Sequence, residues 1–388
     1  MSGLLDHVDP DGLLEYSVVY TDRSVNHMSQ RFQQAMRDIH ATLTSVYNAH
    51  QAIVVPGSGT FGMEAVARQF ANNQRCLVIR NGLFSYRWTQ IFEMADLPSH
   101  ETVMKAQQTT GGSRAPFAPA AIDEVTATIA REKPAVVFAP HVETSAGMML
   151  PDDYLKAVAD AVHAVGGIFV LDCIASGTAW VDMVVTGVDV VVSAPQKGWS
   201  GTPCAGLVML SERAVALMAG TQSNSFSIDL KKWRSIMQAY LDGKHAYHAT
   251  MPTDGLLVFR DVMQEIAEHG FELLKKRQAE LGRRIRKVMA KAGFVSVAAV
   301  GFQAAGVVVF YTDDDDLQNG QAFAAAGMQI AAGVPLMVDE RADYKSFRIG
   351  LFGIDKLLDV DATIERFETA LNKVMIGRML VQSEPADV

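Results

Sequence analysis

Two side chains stand out because of where they sit. The apolar run Gly167-Ile168-Phe169-Val170-Leu171 ends on Asp172, and about two dozen residues later the run from Val188 to Ala194 leads into Pro195-Gln196-Lys197-Gly198-Trp199. Short continuous apolar runs bounded by turn residues read as buried β-strands. In open α/β sheets ligands bind beyond the carboxyl ends of the strands. An acid and a lysine both placed there suit pyridoxal phosphate. The lysine forms a Schiff base with the aldehyde, and the carboxylate keeps the pyridine nitrogen protonated so that the ring can accept electrons. Taken singly, Asp172 also reads as a turn or helix cap and Lys197 as a surface lysine.

A third element could serve the same group. Gly57-Ser58-Gly59-Thr60 follows the apolar run Ala52–Val55 and precedes a helical pattern. Glycines let backbone approach an anion closely, and a helix N-terminus offers free N–H groups and positive partial charge. A phosphate would fit, although a plain strand-to-helix turn has the same appearance. The spacing matches neither GxxxxGK nor GxGxxG.

The elements that position these residues follow from periodicity. Phe32, Met36, Ile39, Leu43 and Val46 mark an amphipathic helix over 28–49. Short strands are expected at 52–55, 76–79 and 135–139, with helices near 63–70 and 153–165. Strands alternating with helices predict an α/β fold with a mostly parallel sheet covered by helices. After Pro252 the pattern changes. Residues 255–292 read as largely helical, short strands follow at 295–297, 306–311 and 347–353, and a last helix spans 361–375. Asp313-Asp314-Asp315-Asp316 reads as a solvated turn at a helix N-terminus, where acids suit the macrodipole; a divalent-cation site is the weaker reading.

The bulk composition narrows the class. The chain has 388 residues, 49% hydrophobic and 20% charged, with a net charge of −9. That is an ordinary globular composition with no basic footprint for nucleic acid. Cys76, Cys173 and Cys204 share no metal-ligand spacing and make no disulfide framework. They favour a reducing, cytoplasmic setting. The N-terminal residues lack the basic flank and apolar core of a signal peptide. No apolar run approaches the roughly 20 residues of a membrane span.

In that order, the chain resembles the class V aminotransferases, within the alanine–glyoxylate and serine–glyoxylate group. The likeness runs from about residue 50 to 355. Its carriers are Gly57-Ser58-Gly59-Thr60, the segments 81–87 and 143–147, Leu171-Asp172-Cys173-Ile174, Ser193-Ala194-Pro195-Gln196-Lys197-Gly198, Tyr247-His248-Ala249-Thr250-Met251-Pro252, and Arg348-Ile349-Gly350. The resemblance implies a fold-type I architecture. A large domain over 28–252 would carry a mostly parallel seven-stranded sheet, a small α+β domain would span 253–388, and residues 1–27 would line the site.

Roles carry over by position. Ser58, Gly59, Thr60 and Gln196 resemble the phosphate contacts, Phe84 the ring stacked on the pyridine, and Ser145 the hydroxyl beside the phenol oxygen. Asp172 resembles the partner of the ring nitrogen, Ile174 the apolar group on the opposite ring face, and Lys197 the Schiff-base lysine. Tyr247 and Thr250 resemble phosphate ligands from a second subunit, which implies a homodimer with sites at the interface. Arg348 resembles the fork that holds the substrate carboxylate. The implied reaction moves an amino group between a small amino acid, or an amine like it, and a 2-oxo acid such as glyoxylate or pyruvate. No metal is expected, and a lyase on the same scaffold is the alternative. The usual Pro-Gly-Pro opening segment is replaced by residues 15–27, where Arg23 and His27, with Arg87 elsewhere, read first as ordinary surface salt-bridge partners and second as further cations for an anionic side group.

Overall fold

The computed structural model describes residues 7–383, with side chains through residue 378. Expectations for residues 1–6, including part of the reading against a signal peptide, and for 384–388 lie outside the described residues.

Seven strands form the main sheet: β1 (Gln51–Pro56), β2 (Arg75–Arg80), β3 (His100–Lys105), β4 (Val136–Pro140), β5 (Ile168–Asp172), β6 (Val190–Ser193) and β7 (Ala205–Leu210). Their spatial order is β1-β7-β6-β5-β4-β2-β3. The four pairings among β6, β5, β4, β2 and β3 are parallel, whereas β7 runs antiparallel to both β6 and β1. β4, β5 and β6 are buried along their whole length. Burial on both faces explains why these strands read as unbroken apolar runs rather than alternating ones.

Helices α1 (Gln30–Tyr47), α2 (Gly59–Phe70), α3 (Leu83–Ala95), α4 (Ile122–Glu132) and α5 (Asp152–Ala164) flank this sheet. The Ser29 hydroxyl accepts the Phe32 amide at 3.1 Å and caps α1, one residue inside the expected boundary. The region expected to be one helical stretch is two helices, α6 (Thr253–His269) and α7 (Phe271–Lys291). Gly270 lies between them at φ +91°, a conformation that L side chains rarely adopt.

A second sheet contains β8 (Val307–Tyr311), β9 (Ala331–Ala332) and β10 (Ser346–Gly350), in the order β8-β10-β9 and all antiparallel. Residues 295–297 make only an isolated bridge, Ser296 with Phe310, where a strand was expected. The acidic run opens a one-turn helix: the Asp314 carboxylate accepts the Asp316 and Leu317 amides at 2.9 and 3.1 Å. A long final helix, α8 (Val360–Ser383), packs on α7.

One apolar core extends through both sheets. A smaller one joins Val142, Met148 and Ala175, from loops beyond the main sheet, to Val307 and Val309 of β8. Burial of that kind contributes roughly 25 cal/mol per Å² of apolar surface, so the strand-end loops are held by packing as well as by hydrogen bonds. Among the described residues no helix is long and apolar enough to cross a membrane. Nor, among them, do three or more His, Cys, Asp or Glu side chains group as metal ligands.

Candidate active site

Asp172 is the last residue of β5, opposite Val192 of β6 and Pro140 of β4. Its carbonyl accepts the His141 amide at 2.8 Å, and Oδ1 accepts the Ile174 amide at 2.9 Å. The side chain is therefore fixed at the carboxyl edge of the sheet. Lys197 lies in the turn after β6, where the Ser200 amide donates to its carbonyl at 3.0 Å. The turn is jammed against its neighbour. A Cβ on Gly198 would lie 2.0 Å from the Gly177 carbonyl oxygen. Beyond it, the Ser200 hydroxyl accepts the Ile354 amide at 2.8 Å, joining the lysine turn to the chain just past β10.

These two residues share one cavity of about 90 Å³ with Ser58, Gly59, Thr60, Phe84, Ile174 and Gln196. The same walls include Met63, Arg87, Val142, Thr144 and Ala175. The start of α2 approaches the Asp172 loop so closely that a Cβ on Gly59 would lie 2.6 Å from Ile174 Cδ1. Only hydrogen fits there. Ser58, at the N-cap of α2, makes no side-chain cap bond, so its hydroxyl is not consumed by the helix.

The Phe84 ring is surrounded by cations. The Arg87 guanidinium carbon is 4.8 Å from its centroid, Arg348 is at 5.6 Å, and Lys197 Nζ is at 5.7 Å. Arg348 projects from β10, and its Nε donates to the Ala332 carbonyl of β9 at 2.7 Å. Arg87 also donates to the Thr60 hydroxyl at 3.3 Å.

Burial dominates the electrostatics. It raises the Asp172 pKa to about 6, against the opposing pull of the Ile174 amide and the Lys197 charge. Burial likewise lowers the Lys197 pKa; Asp172 opposes this, while Arg87 and Arg348 add to it. The result is an amine closer to its neutral, nucleophilic form.

Ser145 is fully buried and off the cavity wall; its hydroxyl donates to Glu143 Oε1 at 2.7 Å and accepts the Leu83 amide at 3.0 Å. Its neighbour Thr144 lines the cavity. Tyr247 and Thr250 hydrogen bond to each other at 3.1 Å on the exposed face of their own chain, away from this cavity. Arg23 is exposed. His27 is buried among aromatic neighbours, with Tyr20 and Tyr247 both 5.7 Å away by ring centroid.

The cavity's chemistry fits a group with an anionic end, a basic ring nitrogen and an aldehyde. The lining sets hydroxyls at Ser58 and Thr60 and the start of α2 in one cavity with the Asp172 carboxylate and the Lys197 amine. The aminotransferase class V family model matches residues 13–351. The chain belongs to the class V aminotransferases. Members use pyridoxal phosphate, and the protein is a pyridoxal phosphate-dependent transaminase.

Relatives are distant but extensive. The chain is 24% identical to the alanine–glyoxylate aminotransferase of Oryctolagus cuniculus over 364 residues, covering 90% of this chain and 86% of the relative. It is 26% identical to a 2-aminoethylphosphonate–pyruvate transaminase of Paraburkholderia xenovorans, covering 83% and 84%. In structure it is similar to an alanine–glyoxylate aminotransferase from Nostoc sp., with a TM-score of 0.76 at 18% identity over 90% of this chain and 89% of that one. The last likeness supports the fold-type I architecture of this class V family member.

Proposed function

We propose that this aminotransferase exchanges an amino group between a small amino acid, or an amine resembling one, and a short 2-oxo acid such as glyoxylate or pyruvate. One observation carries the reading: Lys197, Asp172 and the ring of Phe84 share a cavity, and the Arg348 guanidinium lies 5.6 Å from that ring. A cation is thus set beside the lysine that would do the proton chemistry.

Pyridoxal phosphate, when bound, supplies an aldehyde that condenses with amines and a protonated ring that withdraws electrons. Ser58, Gly59, Thr60 and Gln196 would hold its phosphate, Thr144 its phenol oxygen, Asp172 its ring nitrogen and Lys197 its aldehyde carbon by a Schiff base. Phe84 would cover one ring face and Ile174 the other. Once released by an incoming amine, Lys197 Nζ takes the proton from the substrate α-carbon and later gives it back, acting as base and then acid. Its burial beside Arg87 and Arg348 suits this, because both lower its proton affinity. Arg348 orients the substrate carboxylate through its planar fork, and the Ala332 carbonyl fixes the fork's direction.

The reading includes a cytoplasmic homodimer. The cavity formed by one chain is only about 90 Å³, and the paired hydroxyls of Tyr247 and Thr250 face outward. In a dimer they would complete the partner's phosphate site. Residues 1–27 would line the site, 28–252 would form the cofactor domain, and 253–388 the small domain. Elimination chemistry has less support. The desulfurase-type route needs a mobile nucleophilic cysteine, whereas Cys76, Cys173 and Cys204 are all buried and burial raises each thiol's pKa.

Half-reaction spectroscopy tests the proposal. The cofactor-loaded protein is mixed with alanine, serine, aspartate and 2-aminoethylphosphonate in turn, without an oxo acid. Transamination predicts loss of the visible band, with one equivalent of oxo acid formed per site and recovery on adding glyoxylate or pyruvate. Continuous ammonia release without any oxo acid would reject it in favour of a lyase.

A further inference from the structure

Glu143 has no part in the roles assigned so far, yet it is fully buried a few residues from them. It lies beyond β4 in a two-residue ladder, Val142–Glu143 against Met148–Met149. Both carboxylate oxygens point at the first turn of α3. Oε1 accepts the Phe84 amide at 3.2 Å; Oε2 accepts the Ser85 amide at 2.9 Å and the Ser85 hydroxyl at 2.7 Å. Oε1 also accepts the amide and hydroxyl of Ser145, at 3.2 and 2.7 Å. Ser145 Oγ in turn accepts the Leu83 amide. The amides of Leu83, Phe84 and Ser85 therefore all end on Glu143 or on a hydroxyl that it holds.

Two helix N-termini begin at the cavity, and they are treated differently. The start of α2 has no side-chain cap. The start of α3 is closed by a buried carboxylate, although a buried charge is expensive and a neutral cap would satisfy the same amides. An anion entering the cavity finds positive partial charge at α2 and finds that of α3 already neutralised. Glu143 also acts on the guanidinium at the mouth. Burial lowers the Arg348 pKa, and Glu143 is the leading charge that opposes it.

We infer that Glu143 is a positioning residue: its carboxylate fixes α3 so that Phe84 and Arg87 face the cofactor, and, of the two helix starts at the cavity, it leaves that of α2 open for the phosphate. The inference rests on the cavity's being the cofactor site.

Glu143→Gln tests it. Glutamine keeps the shape but must turn its NH₂ toward N–H or O–H donors in either orientation, since both oxygens now accept. The variant is expected to bind pyridoxal phosphate about tenfold more weakly by fluorescence titration. The visible circular dichroism of the bound cofactor should shrink, and kcat should fall by about 10- to 100-fold with a smaller change in KM. A lower melting temperature with wild-type affinity, visible dichroism and kcat would overturn the inference. If Glu143→Gln does not fold, Ser85→Ala, which removes one donor to Oε2, is read by the same signals: weaker uptake and reduced dichroism support the role, and wild-type values overturn it. Failure of the wild-type chain to take up the cofactor overturns the reading of the cavity, a different result from normal uptake with an indifferent Glu143→Gln.

Discussion

Two charged hollows in this molecule invite comparison. One is the cavity of about 90 Å³ around Asp172 and Lys197; the other is a cleft of about 730 Å³ lined by Asp313, Asp314, Asp315, Asp316, Lys373 and Arg378. The second is larger, but three of its four acids are paired with cations and its charges reach water. Lys345 contacts Asp315, Arg378 lies 3.3 Å from Asp314, and Arg114 pairs with Asp313. Exposed pairs of this kind contribute little. In the first, charges are withdrawn from water: burial raises the Asp172 pKa to about 6 and lowers that of Lys197. Perturbed groups in a dry pocket are poised for a bound partner. Burial, rather than void volume, separates the two.

The contrast can be tested at both ends. Lys197→Ala should lower kcat by more than about 10³-fold, since it removes both the covalent attachment and the proton carrier. The visible band of the covalent cofactor should vanish with it, and retention of that band would refute the assignment. Asp172→Asn should lower kcat by about 100-fold or more through loss of the charge facing the ring nitrogen.

Asp172 also predicts a pH effect in the cofactor-free chain. Its pKa is about 6 when folded, against 3.8 for the ordinary group. The folded state therefore holds the proton more tightly. Stability from this source is full below pH 3.8 and is lost as pH rises through about 6. The loss is on the order of 3 kcal/mol. Differential scanning fluorimetry of wild type and Asp172→Asn should show that fall only in wild type; parallel profiles would contradict the buried-acid account.

Arg348→Gln should act mainly on substrate binding, raising KM for amino and oxo acids by roughly 10- to 100-fold. Equal KM values for the variant and wild type would place the carboxylate elsewhere. At the far end of the scale, Asp315→Asn in the larger cleft should leave kcat, KM and cofactor affinity unchanged. A drop in turnover there would erase the distinction between the two hollows.

Much of the main site was legible because a strand buried on both faces is a simple signal. A polar residue closing an apolar run, as at Asp172, marks where the sheet ends. The turn carrying Lys197 is similarly exposed by Pro195 and Gly198. What the sequence left open has physical causes. Thr144 and Ser145 are adjacent in a short turn between two-residue strands, where no periodicity says which side chain faces the cavity. The acceptor that aims Arg348 is a carbonyl on β9, sixteen residues away in the chain. The antiparallel β7 is fully buried, so its apolar sequence carries no sign of its direction. The break between α6 and α7 was signalled only by Gly270, which a helical pattern tolerates at about 1 kcal/mol. The Glu143 network joins residues nearly sixty positions apart, and no local pattern marks it.

The contact of Gly198 with Gly177 has a consequence for anyone reshaping this enzyme. Residues 177 and 198 follow the two strands that deliver the acid and the amine; a methyl group on 198 would strike the Gly177 carbonyl, and Gly177 itself sits at φ +65°, where L side chains are strained. A saturation library at position 198 would discard nearly every member before selection for a new substrate began. Diversity is better spent at positions away from this contact, where side chains can change without prying the two loops apart.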